Sequence, residues 1–116
     1  IFLVTNFVSK IIIYIFNTET ATIDPLAEDF DEWAEKILND YDYLLGYKLA
    51  KKWQEENGQL EVGKRLLPKT PFFANGEFAT ENLYACDSVK GVRFRGDIAQ
   101  QIKNLPDGSE FEFKVV

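Results

Sequence analysis

The first sixteen residues, IFLVTNFVSKIIIYIF, constrain the fold more than any other stretch. A membrane-spanning helix needs about 20 predominantly apolar residues. This run is shorter, is interrupted by Thr5, Asn6, Ser9 and Lys10, and is rich in β-branched Ile and Val, which favour strands. The membrane and signal-peptide readings therefore give way to two strands that meet around Asn6 to Lys10. Ile11 to Phe16 is almost continuously hydrophobic, as expected of a central strand covered on both faces, and Asn17-Thr18-Glu19-Thr20 reads as the turn that ends it.

A helix is expected next. Asp29 is a suitable N-cap, and Glu32, three residues on, can reach back to complete a capping box. Phe30, Trp33, Ala34, Ile37 and Leu38 then recur at helical spacing, so the pattern predicts one buried stripe opposite Asp31, Glu35, Lys36 and Asn39. A second helix is predicted from about Tyr43 to Asn57. It would bury Leu45, Leu49, Ala50 and Trp53 and stop at Asn57-Gly58, a pair suited to a left-handed C-cap. Trp33 and Trp53 fall at core spacing and are expected to be structural.

Period is less informative further on. Phe72-Phe73 and Glu77-Phe78 read as short extended pieces, and Glu81 to Ala85 as either a short strand or a helical turn. Ser88 is a candidate N-cap for a helix carrying Val92, Phe94, Ile98, Ile102 and Leu105. Gly91 and Gly96 each weaken it by about 1 kcal/mol relative to alanine, which moves its expected start toward Arg95. After a turn at Pro106-Asp107-Gly108, the alternation of Phe111, Phe113 and Val115 with Glu110, Glu112 and Lys114 predicts a half-buried strand. Mixed order of strands and helices points to a single α+β domain, with a mixed or antiparallel sheet packed against a few helices.

Composition narrows the chemistry. Histidine is absent, which removes the usual general base, the Ser-His and Cys-His nucleophile pairs and the commonest transition-metal ligand. Cys86 is the single cysteine, so neither an internal disulfide nor a cysteine zinc cluster can form, and a cytoplasmic home is the economical reading. Carboxylates are scattered along the chain without the spacing of a divalent-metal loop, and no phosphate-binding glycine motif appears. No catalytic residue, metal site or cofactor is expected, and an enzyme is the weaker reading. The net charge of −6 disfavours nucleic acid or an anionic membrane as partner and favours a basic protein.

The stretch from Leu66 to Gly108, LLPKTPFFANGEFATENLYACDSVKGVRFRGDIAQQIKNLPDG, is idiosyncratic in spelling yet carries no catalytic hardware. Its PKTPF, GEF, ENLYA, RFRGDIA and LPDG strings resemble the C-terminal part of the SUKH superfamily. Those single-domain proteins include bacterial toxin-immunity proteins and the yeast regulators of cell-wall glucan synthesis. With the upstream FNTET and AEDFDEWAEKIL segments the resemblance covers most of the chain. It implies an α+β fold and an immunity-type protein that neutralises a cognate toxin, of nuclease or deaminase class, by stoichiometric binding. The eukaryotic members imply an alternative, an adaptor for signalling or cell-wall synthesis. Methionine is absent even at position 1, and the resemblance implies further helical sequence before Ile1, so the domain is expected to lack an N-terminal portion. No residue-level role carries over from the resemblance.

Charge distribution supplies the candidate site. Between Glu19 and Asp42 stand nine acids against one base, Lys36, a local net of −8. Such a lobe can steer a basic partner, although Asp29 and Glu32 would also serve the helix and the others could be a solvated face. The candidate contact residues are Asp31, Glu35, Asp40 and Asp42, with Asn75 and Glu77 if their loop projects. Buried packing is expected for Phe72, Phe73 and Phe78 around that loop, the alternative being a tip that exposes one aromatic anchor. Arg93 and Arg95, near Lys90 and Lys103, are a candidate clamp for a small anion; the plainer reading pairs them with Asp87 or Asp97.

Overall fold

The computed structural model describes residues 1–112 and 114. Five strands and four helices among them form two antiparallel sheets, an α+β fold as the order of elements implied. The chain gathers into two compact units. One is Ile1–Asn17 with Ala21–Lys48; the other is Thr18–Thr20 with the chain from Leu49 onward.

In the first unit, β1 (Phe2–Phe7) and β2 (Lys10–Asn17) form the expected hairpin, closed at Val8-Ser9 with Ser9 left-handed at φ 74°. Ile1 and Phe16 exchange both backbone hydrogen bonds at the far end. β2 is the central strand, but its residues are mostly half-buried and only Ile13 is fully enclosed, so the expected cover on both faces is incomplete. Its second neighbour, β3 (Thr22–Ala27), is illegible by pattern because Asp24 and Pro25 are poor strand formers. The strand tolerates them because it lies at the sheet edge, where a missing N–H costs no ladder bond.

The helix α1 (Phe30–Asn39) is capped almost as the sequence predicts. Asp29 Oδ1 accepts the Glu32 N–H at 2.7 Å, and Glu32 Oε2 accepts the N–H of Glu28, one residue before the cap, at 2.7 Å. The expected buried stripe is only partly buried. Trp33 and Ile37 are half-buried, with Trp33 edge-on to Phe2 at 5.6 Å, whereas Phe30, Ala34 and Leu38 face solvent. On the other face, Lys36 donates to the Leu26 carbonyl and pairs with Glu32 at 2.8 Å.

The single helix expected from Tyr43 to Asn57 is two, α2 (Tyr41–Leu45) and α3 (Tyr47–Asn57). Gly46 breaks it in the left-handed region at φ 64°, and Asp42 Oδ1 caps the restart by accepting the Lys48 N–H at 2.8 Å. Leu49, Ala50 and Trp53 are half-buried as the pattern suggests, but Leu45, beside the break, is exposed. The predicted stop holds: Gly58 has φ 92° and its N–H reaches the Gln54 carbonyl at 2.9 Å.

The second unit packs α4 (Ser88–Ile102) on a hairpin of β4 (Lys64–Pro68) and β5 (Leu83–Asp87). β4 carries no alternation long enough to announce it. The Glu81 to Ala85 ambiguity resolves into both forms, a 3₁₀ turn over Thr80–Asn82 followed by β5. Asp87 rather than Ser88 caps α4, accepting the Lys90 N–H at 2.9 Å, and the helix starts there despite its glycines. Gly91 explains why. A Cβ at that position would stand 2.6 Å from Leu67 Cδ1 and 2.8 Å from Cys86 Sγ, so the glycine is what lets helix and hairpin approach. Leu67, Leu83, Cys86, Arg95, Ile98 and Ala99 are buried in this unit.

Phe72–Ala74 is a 3₁₀ turn and Glu77-Phe78 is irregular, so neither is an extended piece. The Pro106-Asp107-Gly108 turn forms, with Gly108 at φ 80° and the Ser109 N–H on the Pro106 carbonyl at 3.1 Å. Glu110, Phe111, Glu112 and Lys114 do not form the expected strand; Phe111 instead stacks on Phe73 at 6.0 Å. Phe113 and Val115 of that expected strand lie outside the described residues.

Candidate functional site

The candidate acids sort by what their carboxylates already do. On the first unit, Asp29 caps α1, Glu32 is tied to Lys36 and the Glu28 N–H, and Glu28 meets Lys10 at 3.4 Å. The Lys36 ammonium, followed by the Glu28 N–H, holds the Glu32 carboxyl below its usual range. Asp42 is half-buried and engaged: one oxygen caps α3 and the other lies 3.7 Å from Lys48 Nζ. The charge of these residues serves local structure, and Asp42, grouped with Asp31, Glu35 and Asp40 as a candidate contact, differs from them in being engaged.

Asp31, Glu35 and Asp40 are different. All three are exposed, and among the described residues none of their carboxylates meets an N–H or a cation. Asp31 and Glu35 are four residues apart on α1 and so share a face. Asp40 stands between α1 and α2, where its backbone N–H closes α1 on the Lys36 carbonyl and its side chain caps nothing.

Apolar side chains accompany them that the sequence reading placed in the core or passed over. Leu38 is 77% exposed and Tyr43 83%, and Leu45, Tyr41 and Tyr47 are also open to solvent. Tyr41 and Tyr47 meet edge-to-face at 5.2 Å across the Gly46 break. The glycine was the available signal. Without it, Leu45 and Leu49 share one helical face; with it, Leu45 and Tyr43 are left on a five-residue helix that cannot bury them.

Asn75 and Glu77 belong to the second unit, on the loop between β4 and β5. Both are exposed, and Asn75 is left-handed at φ 62°. The loop is pinned by residues that pattern did not single out. Asn82 donates to the Thr70 and Glu77 carbonyls at 3.0 and 2.9 Å and accepts the Thr70 N–H at 2.9 Å. Glu19 accepts the N–H groups of Phe72 and Phe73 at 3.2 and 3.3 Å. All three phenylalanines expected to pack are exposed, Phe72 and Phe73 by 38% each and Phe78 by 70%, with Phe78 leaning on Phe72 at 5.4 Å, so the loop shows neither buried packing nor a single aromatic anchor. Beside the loop, Thr70, Phe73, Asn75, Ile102, Leu105 and Phe111 line an open cleft of about 1050 Å³.

Arg93 and Arg95 do not make a clamp. Arg93 is exposed, whereas Arg95 is only 1% exposed, since positions two apart on a helix point to nearly opposite sides. Arg95 donates from Nη2 to the Pro68 carbonyl, and neither arginine pairs with Asp87 or Asp97 among the described ion pairs. Burial pushes the Arg95 guanidinium below its usual range, opposed by the charge of Glu19.

No helix among the described residues is long and apolar enough to cross a membrane. In comparisons with known proteins, no family model, no curated protein and no solved structure matches the chain.

Proposed function

We propose that this chain is a non-enzymatic protein-binding module of immunity type, which neutralises a basic toxin domain by covering it stoichiometrically. The observation that carries this reading is the exposed set of Asp31, Glu35 and Asp40, free of internal partners among the described residues, with exposed Leu38, Tyr41 and Tyr43 close to them in the sequence. Interface anchors are typically aromatic, and charge of one sign steers an oppositely charged partner. The sequence resemblance to SUKH immunity proteins supports the same reading. Asn75, Glu77 and Phe78 offer a second contact set on their own loop.

Affinity capture from the native lysate at low and moderate salt, followed by enzymological titration of what is captured, tests the proposal. The expected result is a basic polypeptide whose toxic activity is abolished at one equivalent and whose association slows as salt rises. The double variant Asp31→Lys/Glu35→Lys should slow association further while leaving the fold intact. Association insensitive both to salt and to this charge reversal would sink the proposed surface, and binding without inhibition would turn the reading toward an adaptor.

A further inference from the structure

The edge strand β1 stands apart from every other strand that borders a sheet. Charged side chains and proline are the usual guards of an open edge. β3 carries Asp24 and Pro25, β4 carries Lys64, Arg65 and Pro68, and β5 carries Asp87. β1, FLVTNF, carries neither charge nor proline, and its turn, Val8-Ser9, adds none. Of its side chains, Leu3 and Val4 are exposed, Val4 by 53%.

The register fixes which backbone groups are open. Ile1 and Phe16 exchange both bonds, so Leu3, Thr5 and Phe7, in step with Ile1, bond to Tyr14, Ile12 and Lys10. The N–H and C=O groups of Phe2, Val4 and Asn6 therefore point away from β2, along the free edge. On the opposite border, Pro25 is paired with Tyr14, whose own bonds run to β1, so its missing N–H falls on the outer side. One edge of this sheet is closed chemically and the other is left open.

We infer that the open edge of β1 pairs with β1 of a second copy of this chain, antiparallel, to make a continuous sheet across two molecules. The strand is its own complement. An antiparallel register that sets Val4 against Val4 and Phe2 against Asn6 satisfies every outward backbone group on both copies, and shifting it either way leaves groups unpaired. Each copy carries a net charge of −6, so most surfaces of two copies repel, but the segment from Ile1 to Ser9 holds no charged side chain. The edge is thus the place where like chains can meet at least electrostatic cost. This inference stands apart from the proposed toxin binding, and salt moves the two in opposite directions: screening weakens a charge-steered partner and strengthens the pairing of like-charged copies.

Sedimentation equilibrium of the full chain over about a hundredfold range of concentration, at low and high salt, tests it. The mass should rise from 13.4 kDa toward twice that value, and at lower concentration when salt is high. Val4→Lys, which sets like charges directly opposite each other, should hold the chain monomeric with an unchanged circular dichroism spectrum. Under mild oxidation Val4→Cys should cross-link to a covalent dimer, and Val8→Cys, fully exposed on the turn but off the register, should not. A mass fixed at 13.4 kDa under all conditions, or equal cross-linking of the two cysteine variants, overturns the inference. Should Val4→Lys fail to fold, the cysteine pair still decides.

Discussion

The two units treat similar residues in opposite ways. In the second, α4 lies on the β4–β5 hairpin close enough to bury Leu67, Leu83, Cys86, Ile98 and Ala99 and even a guanidinium. In the first, a sheet and helices richer in Ile, Leu and aromatics enclose, among the described residues, only Ile13 and Ala27, and Phe30, Leu38, Tyr43 and Leu45 stay in solvent. Capping does not separate them, since α1 and α4 each have an aspartate cap in place. Close approach does. Glycines at Gly91 and Gly76 allow backbone and side chains of the second unit to come within distances no Cβ would permit, and the first unit has no equivalent contact. Caps fix the backbone of a helix; only steric fit decides whether its apolar face is used internally or left for a partner.

The largest effect expected from this contrast is at Gly76. A Cβ there would collide with the Thr70 carbonyl oxygen and stand 2.8 Å from that of Pro71, both backbone atoms that cannot step aside. Gly76→Ala should cost about 3 kcal/mol or more in urea unfolding. It should also displace Asn75 and Glu77. Gly46→Ala, at a left-handed glycine with nothing near its Cβ position, is strained by its φ of 64° alone and should cost clearly less. Equal costs would mean that backbone conformation, not close packing, distinguishes the two units.

Arg95 comes next. Its Nη2 is bonded to the Pro68 carbonyl, while Nε and Nη1 are buried without a hydrogen-bond partner among the described residues. Arg95→Ala opens a cavity and should destabilise by about 3 kcal/mol. Arg95→Met fills the space without a buried cation and should fall within about 1 kcal/mol of the parent, or gain stability. A methionine variant as unstable as the alanine one would show that the guanidinium charge itself holds the second unit together.

A smaller effect belongs to Asp87. The Lys90 N–H, followed by that of Val89, holds its carboxyl below the usual aspartate range. A lowered folded-state value means that the cap contributes fully above the ordinary aspartate range and is lost as pH falls through and below it. Asp87→Ala should lower the melting temperature by a few degrees at neutral pH, and Asp87→Asn, which caps without titrating, should retain most of the stability and flatten the acid limb of the curve. An acid limb unchanged in Asp87→Asn would assign that pH dependence to other carboxylates.

What was legible in the sequence follows the same division. The hairpin of β1 and β2, the Asp29 cap, the stop at Gly58 and the turn at Gly108 are set by a few adjacent residues, and all formed as read. The α+β class came from the order of such signals. What escaped was decided at long range. Gly91 weakens a helix locally and looks like a reason to start it later, until Leu67 and Cys86 are seen against it. β3 is a strand because β2 lies beside it, not because Asp24 and Pro25 favour one. In the candidate site, the exposed position of Asp31 and Glu35 followed from helical phase, but the engagement of Asp42 by Lys48 and the exposure of Leu38 and Tyr43 depended on the Gly46 break and on packing that periodicity does not report.

The smallest effect expected is also the one that most directly tests the comparison. Leu38 and Tyr43 are 77% and 83% exposed, so removing their apolar area should cost the free protein almost nothing. Leu38→Lys and Tyr43→Ser should each stay within about 0.5 kcal/mol of the parent in urea unfolding, the range of ordinary surface changes. Ile98→Ala, 4% exposed in the second unit, serves as the counterpart and should cost at least about 2 kcal/mol. The same two surface variants should weaken capture of a basic partner, because an apolar residue that contributes nothing to its own fold is available to an interface. If Leu38→Lys instead destabilises the chain as much as Ile98→Ala does, α1 buries its stripe as the sequence predicts, and the first unit would lose its claim to be the binding surface.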